Sequence, residues 1–195
     1  MDDVRRRGTE RLGALPASEL RERLRAFAWH DPADGFVWLS CTLALEALEA
    51  GNYGVGAVLV RDGEVVAEGR NRLLEPYVRT DCHAETEAVD QFEARFRDFP
   101  DATGTTLWTS LECCPMCTVR LINTGIREVY YAAPDADGGM LSRWDGLPPF
   151  WRGLAARRDP PQRFAQAACA AELHELAGAI FHASDALLDL RMAAR

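Results

Sequence analysis

The chain has 195 residues, 48% of them hydrophobic, enough for one substantial core. Its net charge is −8, unevenly spread: residues 1–30 hold seven Arg against five acids and residues 148–195 six against five, leaving about −11 between them. A protein that tracks a phosphate backbone needs a basic face, so nucleic acid is not the expected partner, although Arg70, Arg72 and Arg79 stand close together.

Taken in chain order, Leu20, Leu24 and Phe27 recur at helical spacing and predict a short amphipathic helix over about 17–29. It belongs to an expected N-terminal helical extension, residues 1–30, ahead of a catalytic domain over 31–195. His30-Asp31-Pro32 breaks that helix, and Phe36 to Ala50 is apolar enough for a core helix ended by Gly51-Asn52. Residues 55–60 and 64–68 flank Asp62-Gly63, a tight-turn dipeptide, and predict an antiparallel hairpin. Helical spacing returns over 84–97 through Ala84, Ala88, Phe92 and Phe96, and 105–110 reads as a third strand.

Pro115 suits the first turn of a helix running to about Asn123. Residues 127–132 then form a fourth strand, parallel to the third because a helical crossover joins them. The Gly-, Pro- and Asp-rich stretch 134–161 contains Trp144, Phe150 and Trp151 and reads as a structured loop, with two roles open: core cover or a lid that stacks on a ring. Leu173, Leu176, Ile180, Leu187 and Leu188 predict a long C-terminal helix packed on the sheet. The whole is an α/β layered sheet.

No apolar run approaches the ~20 residues that span a bilayer, and the charged N-terminus lacks the apolar segment of a secretion signal. The setting expected is cytoplasmic and reducing, where clustered cysteines read as metal ligands or catalytic groups. Four of the six cysteines fall in two short motifs, Cys82-His83-Ala84-Glu85 and Cys113-Cys114-Pro115-Met116-Cys117. With Cys114 at a helix N-cap and Pro115 at the first helical position, Cys117 falls at the third, so both sulfurs face one helix end. That end is the positive pole of the helix dipole and favours thiolates.

His83, Cys114 and Cys117 supply three ligands for one tetrahedral Zn²⁺ per chain, leaving the fourth position for a water whose pKa the metal lowers toward neutrality. Glu85, two residues from His83, is the proton carrier: it takes the water's proton, delivers it to a ring nitrogen and then protonates the departing amine. H-x-E followed by P-C-x-x-C with a non-ligand Glu is the mark of zinc nucleobase deaminases. Cys82 and Cys113 flank the ligands, and either one in the fourth position would close the site.

The stretches GVGAVLVRDGEVVAEGRN (54–71), CHAE (82–85), TLWTSLECCPMC (106–117) and GIREVYYA (125–132) carry a resemblance to the cytidine and deoxycytidylate deaminase superfamily. Within it they look closest to guanine deaminases and bacterial tRNA adenosine deaminases. The resemblance implies a three-layer α/β/α sandwich with a mixed sheet and a homodimer. It also implies that Asn71 hydrogen-bonds the substrate base, and that backbone groups of Ala57, Ala84 and Cys114 line the pocket. Asn71 has a second reading as a turn residue after a strand. The chain departs from the family where Cys113 replaces a proline.

The leading functional expectation is hydrolytic deamination of a small amino-substituted heterocycle by zinc-activated hydroxide, with release of ammonia. A purine-like nucleobase or nucleoside is favoured, since TSLECCPMC and VYYA resemble guanine deaminases more than short cytidine deaminases. The alternative is a tRNA wobble adenosine deaminase, which needs contacts to a polyanion. A deoxycytidylate deaminase fits less well, because Thr86-Glu87 follows the H-A-E. A reading of another class is a zinc-stabilised interaction module without catalysis. His30, His174 and His182 read as surface or packing residues, and Cys41 and Cys169 as small core residues inside helices.

Overall fold

The chain alternates strands with helices that each bury one face, and this pattern builds three layers. A computed structural model describes residues 1–97 and 102–193, without the side chains of 186, 187 and 189–193, so the expected contact of Leu187 lies outside the described residues. The helices are α1 (Asp2–Ala14), α2 (Glu19–Ala26), α3 (Pro32–Glu49), α4 (Ala84–Arg95), α5 (Pro115–Thr124), α6 (Pro149–Arg157) and α7 (Ala171–Ala193). The strands are β1 (Gly56–Arg61), β2 (Glu64–Arg70), β3 (Thr105–Leu111), β4 (Glu128–Ala133) and β5 (Arg163–Gln166). They form one mixed sheet in the order β2-β1-β3-β4-β5. β1 pairs antiparallel with both neighbours, whereas β3–β4 and β4–β5 are parallel.

Helices α3 and α7 cover one face of the sheet, and α4 covers the other with α5 beside it. Val58, Leu59, Leu107 and Val129 are fully buried between these layers. The expected hairpin is present: Asp62 and Gly63 both take positive φ, 52° and 79°, as a tight turn matched to strand twist requires.

Two glycines set the spacing between layers. A Cβ on Gly56 would stand 2.2 Å from the Ser40 carbonyl oxygen of α3, and one on Gly69 would stand 1.9 Å from that of Ala84 in α4. Because these neighbours are backbone atoms they cannot rotate away. Gly69→Ala is therefore expected to cost at least about 1–3 kcal/mol of stability, the usual range for overpacking. The check is the urea midpoint at unchanged m-value.

Several boundaries differ from expectation. Asp31 and Pro32 do not simply break a helix: the Asp31 carboxylate accepts from Asp34 N at 3.0 Å and Pro32 opens α3, so the pair starts the core helix four residues before Phe36. Helix α1 is not foreshadowed by periodicity. It docks on α3 through Val4, Gly8 and Leu12, with a Cβ on Gly8 placed 2.1 Å from the Trp38 ring. The Trp38 indole donates to the Leu24 carbonyl at 2.7 Å, so α2 and α3 are joined as well. Arg11 bridges Glu46 on α3 and Glu68 on β2. The stretch 134–161 contains helix α6, and the short strand β5 follows it at the sheet edge. Cys169 lies just ahead of α7 rather than inside a helix, whereas Cys41 is fully buried within α3.

Candidate active site

Two helix N-termini converge at the site. His83 is the N-cap of α4 and Cys114 the N-cap of α5, and neither side chain caps its own helix. Both are instead turned toward each other, with His83 Nδ1 3.6 Å from Cys114 Sγ. Cys117, at the third position of α5, completes a group whose three ligand atoms all lie within 4.8 Å of one another. Zinc–sulfur and zinc–nitrogen bonds of about 2.3 and 2.0–2.1 Å at a tetrahedral angle place the two ligand atoms ~3.5 Å apart. The donor set and its spacing therefore fit a zinc ion.

The electrostatics run the same way. The Cys114 thiol is pulled down to about 4, first by the hydrogen bond from the Cys117 thiol and also by His83. Cys117 is pushed well above its ordinary value by serving as that donor and by burial. The His83 imidazole is raised by its contact with Cys114. Cys114 is thus a thiolate flanked by an imidazole and a second sulfur, an arrangement in which a divalent cation is a natural substitute for shared protons.

Glu85 is 4% exposed, and burial raises its carboxyl pKa. Cys117 Sγ stands 3.5 Å from its Oε2. Cys113 is fully buried and directs its thiol at the same carboxyl. Neither Cys82 nor Cys113 belongs to the three-residue ligand cluster.

These groups open into a cleft of about 180 Å³. Asn71 lines it at the end of β2. Its Oδ1 accepts from Leu73 N at 3.0 Å, which makes it a turn residue and at the same time fixes the orientation of its amide. Ala57 and Ala84 are fully buried and do not reach the cleft surface; Val55 and Glu85, close by in the chain, form that wall.

Four lining residues fall outside the quoted stretches, Tyr53, Leu73, Asp135 and Phe181, and Glu112 falls inside one without being among the candidate residues. Tyr53, between α3 and β1, and Phe181, on α7, stack with centroids 6.4 Å apart. Glu112 is 2% exposed and accepts from Asp135 N at 3.1 Å and Ser142 N at 2.6 Å, so it ties the segment after β4 to the end of β3. Its one sequence signal is its place beside the cysteine motif.

Trp144, Phe150 and Trp151 do not line this cleft. Trp144 and Trp151 pack with Ile122, Leu147 and Ala155, while Phe150 is 62% exposed. Neither tryptophan is therefore a lid over this cleft. His174 contacts the Ala132 carbonyl at 2.8 Å and His182 pairs with Asp185, both outside the cleft. Among the described residues, no helix is long and apolar enough to cross a membrane.

A three-layer α/β/α sheet with a His/Cys/Cys cluster at two helix starts defines a zinc-binding deaminase fold. The family model for the cytidine and deoxycytidylate deaminase zinc-binding region matches residues 33–133, and the chain belongs to that family. It is 35% identical over 96 residues to the tRNA-specific adenosine deaminase of Bacillus subtilis, covering 49% of this chain and 58% of that protein. It is also 35% identical over 103 residues to the guanine deaminase of the same species, covering 52% and 65%. The chain thus spans less than two thirds of either relative. A solved structure from work on A-to-I editing by tRNA:A34 deaminases superposes with a TM-score of 0.60 at 26% identity, covering 74% of this chain and 97% of that one.

Proposed function

We propose that this chain is a hydrolytic deaminase of a small amino-substituted heterocycle, with a purine-like nucleobase or nucleoside favoured. The observation that carries this reading is the buried Glu85 carboxyl beside the His83, Cys114 and Cys117 cluster, with Glu85, His83 and Cys114 lining one cleft. We assign the chemistry to residues 31–195, with 1–30 as an extension that buttresses α3, and we expect a homodimer.

His83, Cys114 and Cys117 would hold a zinc ion, and that ion would supply the acidity that makes water a nucleophile near neutral pH. Glu85 accepts the proton that water releases and passes it to a ring nitrogen. The water oxygen bonds the carbon bearing the amine; Glu85 then takes the second proton from that oxygen and hands it to the amine, the carbon–nitrogen bond breaks, and ammonia leaves with a carbonyl in its place. Asn71, its Oδ1 held by Leu73, presents its Nδ2 as a donor to a ring acceptor. Tyr53 and Phe181 offer aromatic faces on which a flat ring stacks.

Charge favours an unphosphorylated substrate. The cleft is lined by Glu85, Glu112 and Asp135 and, among the described residues, by no arginine. Arg70, Arg72 and Arg79 are each paired, with Glu46 at 3.2 Å, Glu87 at 2.6 Å and Asp81 at 2.5 Å.

Deamination of a tRNA wobble adenosine is the second reading, supported by the likeness to the Bacillus tRNA-specific enzyme. One experiment separates the two. Ammonia release is measured from a panel of aminopurines and aminopyrimidines and from an anticodon stem-loop, with stem-loop affinity followed against salt. Turnover of free heterocycles with weak stem-loop binding is expected. A steep salt-dependent affinity and turnover confined to the stem-loop would reverse the ranking.

A further inference from the structure

A second cavity, of about 510 Å³, lies between α6, β5 and the segment after β4. Trp144 and Phe164 form an aromatic wall with ring centroids 4.9 Å apart, and Arg152, Arg163 and Gln162 also line it. Two polar atoms on these side chains are buried without a hydrogen-bond partner: Arg152 Nε, a donor, and Gln162 Oε1, an acceptor. Buried groups of this kind are disfavoured unless something pairs with them.

The rest of each side chain is already engaged. Gln162 Nε2 donates to the carbonyls of Leu121 at 3.1 Å and Ile126 at 2.7 Å, which fixes the amide's orientation. Arg152 Nη1 holds the Asp145 carboxylate at 3.0 Å, but that carboxylate is 99% exposed. So exposed a pair is weakly held, and an incoming anion displaces it easily.

We propose that this cavity is a second ligand site for a planar heterocycle bearing an anionic group, and that a nucleoside monophosphate is the class it takes. The base stacks on Trp144, and the phosphate is met by the guanidinium groups of Arg152 and Arg163. The volume lies within the ~300–1,000 Å³ usual for small-molecule sites. The wall is also continuous with the cleft. Leu141 lines the cavity, while its neighbours Met140 and Ser142 donate their backbone N–H groups to the Cys113 carbonyl at 2.9 Å and to Glu112 at 2.6 Å. A ligand that shifts Leu141 is therefore felt beside Glu85. Binding itself does not depend on the deaminase reading.

The test is titration calorimetry of the full chain with adenosine 5′-monophosphate, adenosine and benzoate, repeated on Arg152→Gln and Trp144→Leu. The monophosphate is expected to bind the wild type at least about tenfold more tightly than adenosine, and each variant to lose at least about tenfold of that affinity with its circular dichroism unchanged. Equal binding by wild type and both variants would place the ligand elsewhere and overturn the proposal. So would silence from the monophosphate, whether or not benzoate binds. A change in solution mass on Trp144→Leu without loss of a binding event would mark the cavity as a contact between copies of the chain and overturn it too.

Discussion

Glu85→Gln is expected to lower kcat/KM for the turned-over heterocycle by about 10²–10⁴-fold, the usual contribution of a positioned general acid–base group. The substitution keeps size and hydrogen-bonding reach, so the contacts from Cys113 and Cys117 survive while the ability to accept and return a proton is lost. Burial that raises the carboxyl pKa suits the role, because a weaker acid is a better acceptor and still donates later in the cycle. Zinc content measured in parallel should match the wild type. Activity retained within about threefold, far inside that 10²–10⁴ range, would assign proton transfer to another group.

Cys117→Ser is expected to reduce bound zinc to below about a tenth of one ion per chain after dialysis against a weak chelator, with ammonia release falling alongside it. Cys117 is fully buried, so a hydroxyl in its place is a poorer ligand that solvent cannot rescue. Chelation of the wild type should also lower stability, since a ligand at a thousandfold above its Kd adds about 4.1 kcal/mol. X-ray absorption on the zinc-loaded wild type adds the coordination sphere. Two sulfurs, one nitrogen and one oxygen are expected. Three sulfurs and one nitrogen would mean that Cys82 or Cys113 moves onto the metal and that the site is a closed, structural one.

The ligand cluster was legible because it is local. Each motif sits at one helix start, so cap position and three-residue spacing dictate which side chains share a side. The central strands and core helices were legible for the same reason, as their apolar periodicity is strong. Helix α1 was not, because two apolar residues and a glycine are all it buries, and it is held by fit against Trp38 and by ion pairs from Arg7 and Arg11. Strand β5 is four residues long with no fully buried side chain, and in the sheet it pairs with β4 alone. Tyr53, Glu112, Asp135 and Phe181 come together through tertiary closure, which no spacing rule encodes.

The aromatic wall at Phe181 divides the chain's inheritance in two. The family match ends at residue 133, inside which lie the ligands, Glu85 and Asn71, while Asp135 and Phe181 fall beyond it. The cleft wall is thus drawn from both stretches, with Tyr53, Asn71 and Glu112 inside the match and Asp135 and Phe181 outside it. A relative that matches only that stretch shares only part of the wall, and substitutions at Phe181 of α7 are expected to reshape the wall while His83, Cys114 and Cys117 stay untouched.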